Sequence, residues 1–159
     1  MGTALFYHLT RSPADALVPI LIDKAREQGW RVALRGTDAG RLARLDDLLW
    51  LREGFLPHGR AGGADDARQP VLLSLAGEAE DNAPSCLITL DGAEVSPEEC
   101  SGLERVCILF DGADPAAVDG ARNQWRSLTG AGIAAEYWND SEGGWKRQRV
   151  SSPSGQQEG

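Results

Sequence analysis

A chain of 159 residues, 42% hydrophobic and 25% charged, is long enough to bury a full core as one domain without staples. Its 24 acidic against 16 basic side chains give a formal charge of −8, which excludes a protein that coats nucleic acid by bulk positive charge. No run approaches the roughly 20 apolar residues of a membrane span, and three cysteines with no C-x-x-C spacing exclude a disulfide framework. Along the chain, TALFYHL (3–9) is short and aromatic-rich, as a strand is. Ser12-Pro13 reads as an N-cap followed by proline at the first helical position, and Leu17, Ile20, Leu21 and Ala25 follow at helical spacing before Gly29. Pro19 is costly inside a helix, so a start near Ala16, with Pro19 in the first turn, is an alternative. WRVALR (30–35) is a second strand, and Thr37 or Asp38 caps a second helix carrying Leu42, Leu45 and Leu49 on one face.

This β-α-β-α order predicts an α/β fold, a largely parallel sheet with helices on both faces. The polar, Gly-rich segment 52–70 reads as a loop. PVLLSL (70–75) and CLITL (86–90) are short buried strands, and the acidic segments 76–84 and 91–103 read as loops. RVCILF (105–110) is the most apolar strand, with Cys107 a small core residue. Asp114-Pro115 opens a helix over 114–129 that Gly130 or Gly132 ends, and IAAEYW (133–138) is a further strand. One domain over 1–150 and a disordered tail over 151–159 (SSPSGQQEG) are expected. The charge is uneven: +2 over 1–60, −11 over 61–121 and +1 over 122–159. The opening apolar stretch is short and lacks a basic region before it, unlike a signal peptide, so Cys86, Cys100 and Cys107 read as reduced thiols of a cytoplasmic protein.

Catalytic patterns are missing where this fold would carry them. The first strand-to-helix turn, HLTRSP, holds no glycine with which to approach a phosphate, and neither dinucleotide-binding nor P-loop spacing occurs. His8 and His58 stand apart from any cluster of metal ligands, and Ser74 has no G-x-S-x-G elbow. Neither an enzyme, a cofactor nor a metal is therefore expected.

Two constellations remain. LDDLLW (45–50) and GFLPH (54–58) bring Trp50, Phe55 and Pro57 to a helix end and its loop, either as an edge of the core or as an anchor for a partner. On the third helix Val118, Ala121, Trp125 and Leu128 form an apolar stripe flanked by Arg122 and Arg126. Either this is a core tryptophan with two solvated arginines, or it is an indole wall under two guanidinium forks, which suit carboxylates. Lys146, Arg147 and Arg149 beside Trp138 and Trp145 add cations among aromatics, a composition for an acidic peptide or for single-stranded nucleic acid by stacking.

FYHL, LDDLLW, F-L-P-H, Q-P-V-L-L, LFDG, A-R-x-x-W-R and the closing aromatic strand, in this order over about residues 3–147, resemble the chi subunit family of bacterial DNA polymerase III holoenzyme. The resemblance implies a nucleotide-binding-like fold without a phosphate loop and a non-catalytic adaptor. It implies binding to the acidic, aromatic-ending C-terminal tail of single-stranded DNA-binding protein and to the psi subunit of the clamp-loader complex, with no direct nucleic acid and no membrane. By motif, Arg122, Trp125 and Arg126 correspond to the tail-binding helix: Arg122 for the terminal carboxylate or a nearby acid, Trp125 for the aromatic ring, Arg126 for upstream acids. Trp50, Phe55 and Pro57 correspond to the psi-facing region. The chain departs from the family where Val118 replaces a lysine one turn before Arg122, and Lys146 or Arg147 is expected to substitute. A degenerate nucleotide-binding or hydrolase domain and a direct single-stranded DNA binder are the alternative readings.

Overall fold

RVCILF, the most apolar of the predicted strands, takes the central place in the sheet. The computed structural model describes residues 2–51, 57–152 and 157–158. In chain order these form β1 (Thr3–Leu9), α1 (Ala14–Glu27), β2 (Val32–Gly36), α2 (Ala39–Leu51), β3 (Gly59–Arg60), β4 (Val71–Leu75), β5 (Cys86–Thr89), α3 (Pro97–Ser101), β6 (Arg105–Asp111), α4 (Pro115–Gly130), β7 (Ala134–Asn139), β8 (Lys146–Ser151) and β9 (Gln157–Glu158). Among the described residues the nine strands make one sheet, ordered β3-β4-β2-β5-β6-β1-β7-β8-β9. Pairing is parallel from β3 to β7 and antiparallel for β7–β8 and β8–β9. A central parallel strand is covered on both faces and needs apolar side chains in both directions. Val106 through Phe110 are accordingly all buried.

The connections through α1 and α2 step one way across the sheet, and those through α3 and α4 step the other way. Right-handed crossovers then require the two series on opposite faces. Leu17, Val18, Leu21 and Ile22 of α1 and Leu42, Leu45 and Leu49 of α2 pack with Tyr7, Leu34, Ile88 and Leu109. Cys100 of α3 and Ala121, Trp125 and Leu128 of α4 pack with Phe6, Ala33, Leu87 and Ile108 on the other face. The α/β fold with helices on both faces is as the sequence predicts. Its three cysteines are free and buried.

Several local expectations are corrected. Helix α1 begins at Ala14 with extended Pro13 as its N-cap, not Ser12, and Pro19 lies inside the helix rather than in its first turn. The Ser12 amide is committed elsewhere, to Asp140. Segment 91–103 is not all loop. Ser96 and Glu99 form a reciprocal capping box around α3 with Pro97 at its start, a signature readable as S-P-E-E. The 52–70 segment contains β3 and a 3-10 turn at Asp66–Arg68. Strand β8 spans Lys146–Ser151 and so contains residue 150, the expected domain edge. Elsewhere the signals hold: Asp38 Oδ1 accepts the Gly40 amide at the start of α2, Asp114 caps α4, and Gly132, at φ +88°, follows its end.

Candidate functional site

Helix α4 is amphipathic with Ala121, Trp125 and Leu128 turned inward. Trp125 is 9% exposed and meets Phe6 edge-on, with ring centroids 5.3 Å apart. Tyr137 of β7 stands beside it at 6.3 Å. Above this aromatic floor lies a cavity of about 520 Å3 lined by Ala121, Arg122, Trp125, Arg126, Tyr137, Gln148 and Arg149. Arg122 and Arg126 form the helical rim and are exposed. Their local contacts are long: Arg122 is 3.9 Å from Asp119, and Arg126 donates to Asn123 Oδ1 at 3.4 Å. The Arg149 guanidinium carbon is 5.6 Å from the Trp125 ring centroid, a cation–π distance.

The other two cations expected here are elsewhere. Lys146 pairs with Glu142 at 2.6 Å. Arg147 stands opposite Trp138, whose indole packs on the α1 side of the sheet. The cause is a β-bulge. The β7–β8 pairing passes from Tyr137–Arg149 to Trp138–Arg147, so Gln148 is an extra residue. A bulge opposes two residues to one and re-aims the side chains around it. Gln148 and Arg149 thereby reach the cavity, while Arg147 does not. Trp145 is also on the α1 side, edge-on to Tyr7 at 5.3 Å. The C-terminal tryptophans and the cavity are thus divided between two faces. Alternation without the bulge gives the wrong set, and residues 146–150 carry no local sign of it.

A larger groove of about 1080 Å3 opens at the carboxyl ends of β1, β5 and β6, beside the starts of α1 and α4. Connections leave β1 and β6 towards opposite faces, so this is the switch-point crevice in which open α/β sheets commonly bind ligands. Here the anion position is filled from within. Asp140, 2% exposed, accepts the amides of Thr10 and Ser12 at 2.7 Å each and that of Arg11 at 3.2 and 3.3 Å. Burial pushes the Asp140 carboxyl up, but these donors and the Ser12 hydroxyl hold it below its ordinary value. At the same edge His8 shares a hydrogen bond between Nδ1 and the Tyr137 hydroxyl. Burial lowers the His8 pKa, Asp140 opposes that, and Arg122 adds to it. A Cβ on Gly112 of LFDG would collide with the His8 ring and the Leu9 carbonyl, so a side chain there requires one of them to shift.

At the end of α2, Trp50 is 52% exposed, with Leu48 at 37% and Leu51 at 85% beside it. The Trp50 ring lies 4.1 Å from that of His58. His58 is buried, with Nε2 2.9 Å from Asp46 Oδ1. Pro57 is exposed, and Phe55 lies outside the described residues. Among the described residues no group of three or more His, Cys, Asp or Glu is placed to hold a metal ion. Nor, among the described residues, is any helix long and apolar enough to cross a membrane. Arg35, 8% exposed, pairs with Glu80 at 2.7 Å and Glu99 at 2.6 Å and donates to the Glu94 carbonyl. It ties α3 and the β4–β5 connection to the sheet.

The sequence matches a family described as DNA polymerase III chi subunit, HolC, over residues 1–136. That span includes Trp50, Arg122, Trp125 and Arg126 and stops before β8. Among curated proteins none matches the chain significantly.

Proposed function

We infer the function from one premise: the chain belongs to the DNA polymerase III chi subunit family, whose members are non-catalytic accessory subunits in replication. We propose that it acts as an adaptor, holding the acidic, aromatic-ending C-terminal tail of single-stranded DNA-binding protein on α4 and joining it to the clamp-loader complex through psi. The observation that carries this reading is the cavity beside α4. Its floor is aromatic, and Arg122 and Arg126 stand on its rim. An aromatic ring packs against Trp125 and Tyr137, while guanidinium forks take carboxylates. None of the acidic side chains of 61–121 lines this cavity, and the one beside its rim, Asp119, is 3.9 Å from Arg122. The exposed end of α2, with Trp50, Leu48, Leu51 and Pro57, is the proposed psi surface; a clustered apolar anchor of this kind is what partner interfaces use.

The alternatives gain less from the geometry. A nucleotide phosphate would need the β1–α1 amides that Asp140 already occupies. Stacking of single-stranded DNA would need aromatics along one basic track, and Trp138 and Trp145 face away from Trp125. The test is titration of a peptide of that tail by calorimetry or Trp fluorescence. Micromolar binding, about −8 kcal/mol, that weakens with salt is the expected result. Absence of binding at low salt, or undiminished binding by Arg122→Glu, overturns it.

A further inference from the structure

We propose that the groove at the carboxyl ends of β1, β5 and β6 docks an extended, positively charged segment of a partner protein. This second surface goes beyond the adaptor reading and does not depend on it. Of the residues lining the groove, only Ala121 also borders the α4 cavity.

The groove is closed to anions. The starts of α1 and α4 both open on it, and backbone amides at a helix start attract negative charge. Carboxylates of the chain itself already hold those amides. Asp140 accepts the amides of Thr10, Arg11 and Ser12 before α1. At α4, Asp111 Oδ1 accepts the Ala113 amide at 2.9 Å and Asp114 Oδ1 that of Ala116 at 3.0 Å. The donors are used up, and the negative charges that used them remain at the crevice.

Its rim is open to cations. Asp91, Glu94, Asp111 and Asp114 line the groove and are exposed, against two arginines, Arg11 and Arg41. Arg41 is held by Asp15 at 2.8 Å and Asp91 at 3.5 Å. The Arg11 guanidinium lies beside Gly143 of the β7–β8 turn, which does not line the groove. Among the described residues no ion pair engages Glu94, Asp111 or Asp114. The surrounding segment 61–121, at −11, carries the same sign, so both steering and charge complementarity favour a positive partner.

The shape suits an extended chain. The groove, about 1080 Å3, crosses the sheet edge from Arg41 of α2 to Ser127 of α4. Its carboxylates stand in two pairs, Asp91 and Glu94 after β5, Asp111 and Asp114 after β6. An extended segment that points alternate side chains the same way can reach both pairs. The α4 wall is built of Ala116, Ala117 and Gly120, and a Cβ added at Gly120 meets nothing within 4 Å. So low a wall takes the methylene stems of lysine or arginine while their heads meet the carboxylates.

The experiment titrates the full chain at 0.1 M salt with a blocked decapeptide of alternating arginine and alanine. Its counterpart with glutamine for arginine, and spermine, are titrated in parallel, and amide shifts are followed by NMR. Wild type is expected to bind the arginine peptide and not the glutamine one, with shifts confined to 89–95, 111–127 and the β1–α1 turn. The pair Glu94→Gln/Asp111→Asn should lose at least about tenfold, the scale of one charge-assisted contact. Gly120→Leu, which favours the helix and fills the groove, should lose as much. Glu27→Gln/Glu104→Gln removes the same charge at the opposite end of the sheet and should match wild type. No binding by wild type overturns the proposal. So does a groove pair that loses no more than the control pair, or a Gly120→Leu variant that binds as wild type does. Spermine binding the same amides as tightly as the peptide overturns the protein partner in favour of a small polycation.

Discussion

The carboxylate of Asp140, just past β7, accepts the amide hydrogen of Ser12, just before α1, at 2.7 Å. The amides of Thr10 and Arg11 converge on the same group. Asp140 thus supplies internally the negative charge that a helix start favours. It also fastens the β1–α1 turn to the end of β7, beside the edge where Tyr137 borders the α4 cavity.

Removing that carboxylate should be costly. Asp140→Ala leaves buried amides without an acceptor and should lower stability by about 3 kcal/mol, with Asp140→Asn losing less. For a chain of this size the expected fall in Tm is on the order of 10 °C. Urea and thermal denaturation of the two variants check it, and an unchanged Tm for Asp140→Ala contradicts the clamp.

Acid should weaken the fold in two windows. The folded pKa of His8 is lowered from 6.5, first by burial, so the unfolded chain takes up the proton first. Stability should therefore begin to fall as pH drops below about 6.5 and continue until the folded value is passed. For Asp140 burial acts upward but the amide donors prevail, holding the folded value below 3.8. Its contribution is present above about pH 3.8 and is lost as pH falls through the folded value. Urea midpoints between pH 3 and 8 should show both slopes, and His8→Gln should flatten the upper one while leaving the lower.

Affinity and stability should separate at α4. Arg122→Glu changes an exposed side chain and should abolish tail-peptide binding while shifting Tm by only about 1 °C, as surface substitutions do. Trp125→Ala opens a hole against Phe6 and should destabilise by about 3–5 kcal/mol, so Trp125→Phe is the informative variant. It should remain folded and bind more weakly. Calorimetry paired with thermal melts distinguishes the two effects.

Lys146→Ala and Arg147→Ala should leave tail-peptide affinity within about twofold, because one is held by Glu142 and the other is on the opposite face of the sheet. A tenfold loss in either would place the peptide differently. Raising salt should weaken binding for wild type through the rim arginines, since exposed charges are screened within about 10 Å at 0.1 M.

Replacing Arg35 should act on the fold alone. Arg35→Met strands Glu80 and Glu99, and breaking one side of a buried pair costs about 3–5 kcal/mol. Hydrogen exchange should rise in α3 and the β4–β5 connection, with peptide affinity retained in the folded fraction.

Much of the frame was legible from local pattern. Apolar alternation and runs marked β1, β2, β4, β5, β6 and β7 within a residue or two, and Asp38, Asp114 and Pro115 marked helix starts, because caps and periodicity act over neighbours in the chain. Helix α3 was legible too, in S-P-E-E, but its acidic surroundings read as loop. The buried Arg35 pairs and the Asp140 clamp had no such sign. Their partners lie 45 to 130 positions away, and nothing in a charged residue's neighbours says whether a distant group will meet it.

The sequence by itself determined the α/β frame, the family and the inward stripe of α4 that sets Trp125 under Arg122 and Arg126. Those follow from periods of two and 3.6 residues, which a helix or strand enforces whatever surrounds it. Only the tertiary structure decided which C-terminal cation joins them. Lys146, Arg147 and Arg149 are alike in composition, and strand register sorts them. With Gln148 bulged, Arg149 lies over Trp125 and Arg147 opposite Trp138. A single inserted residue in a ladder reverses which face each following side chain occupies, and that insertion is fixed by β8 pairing with β7, not by the residues of β8 alone.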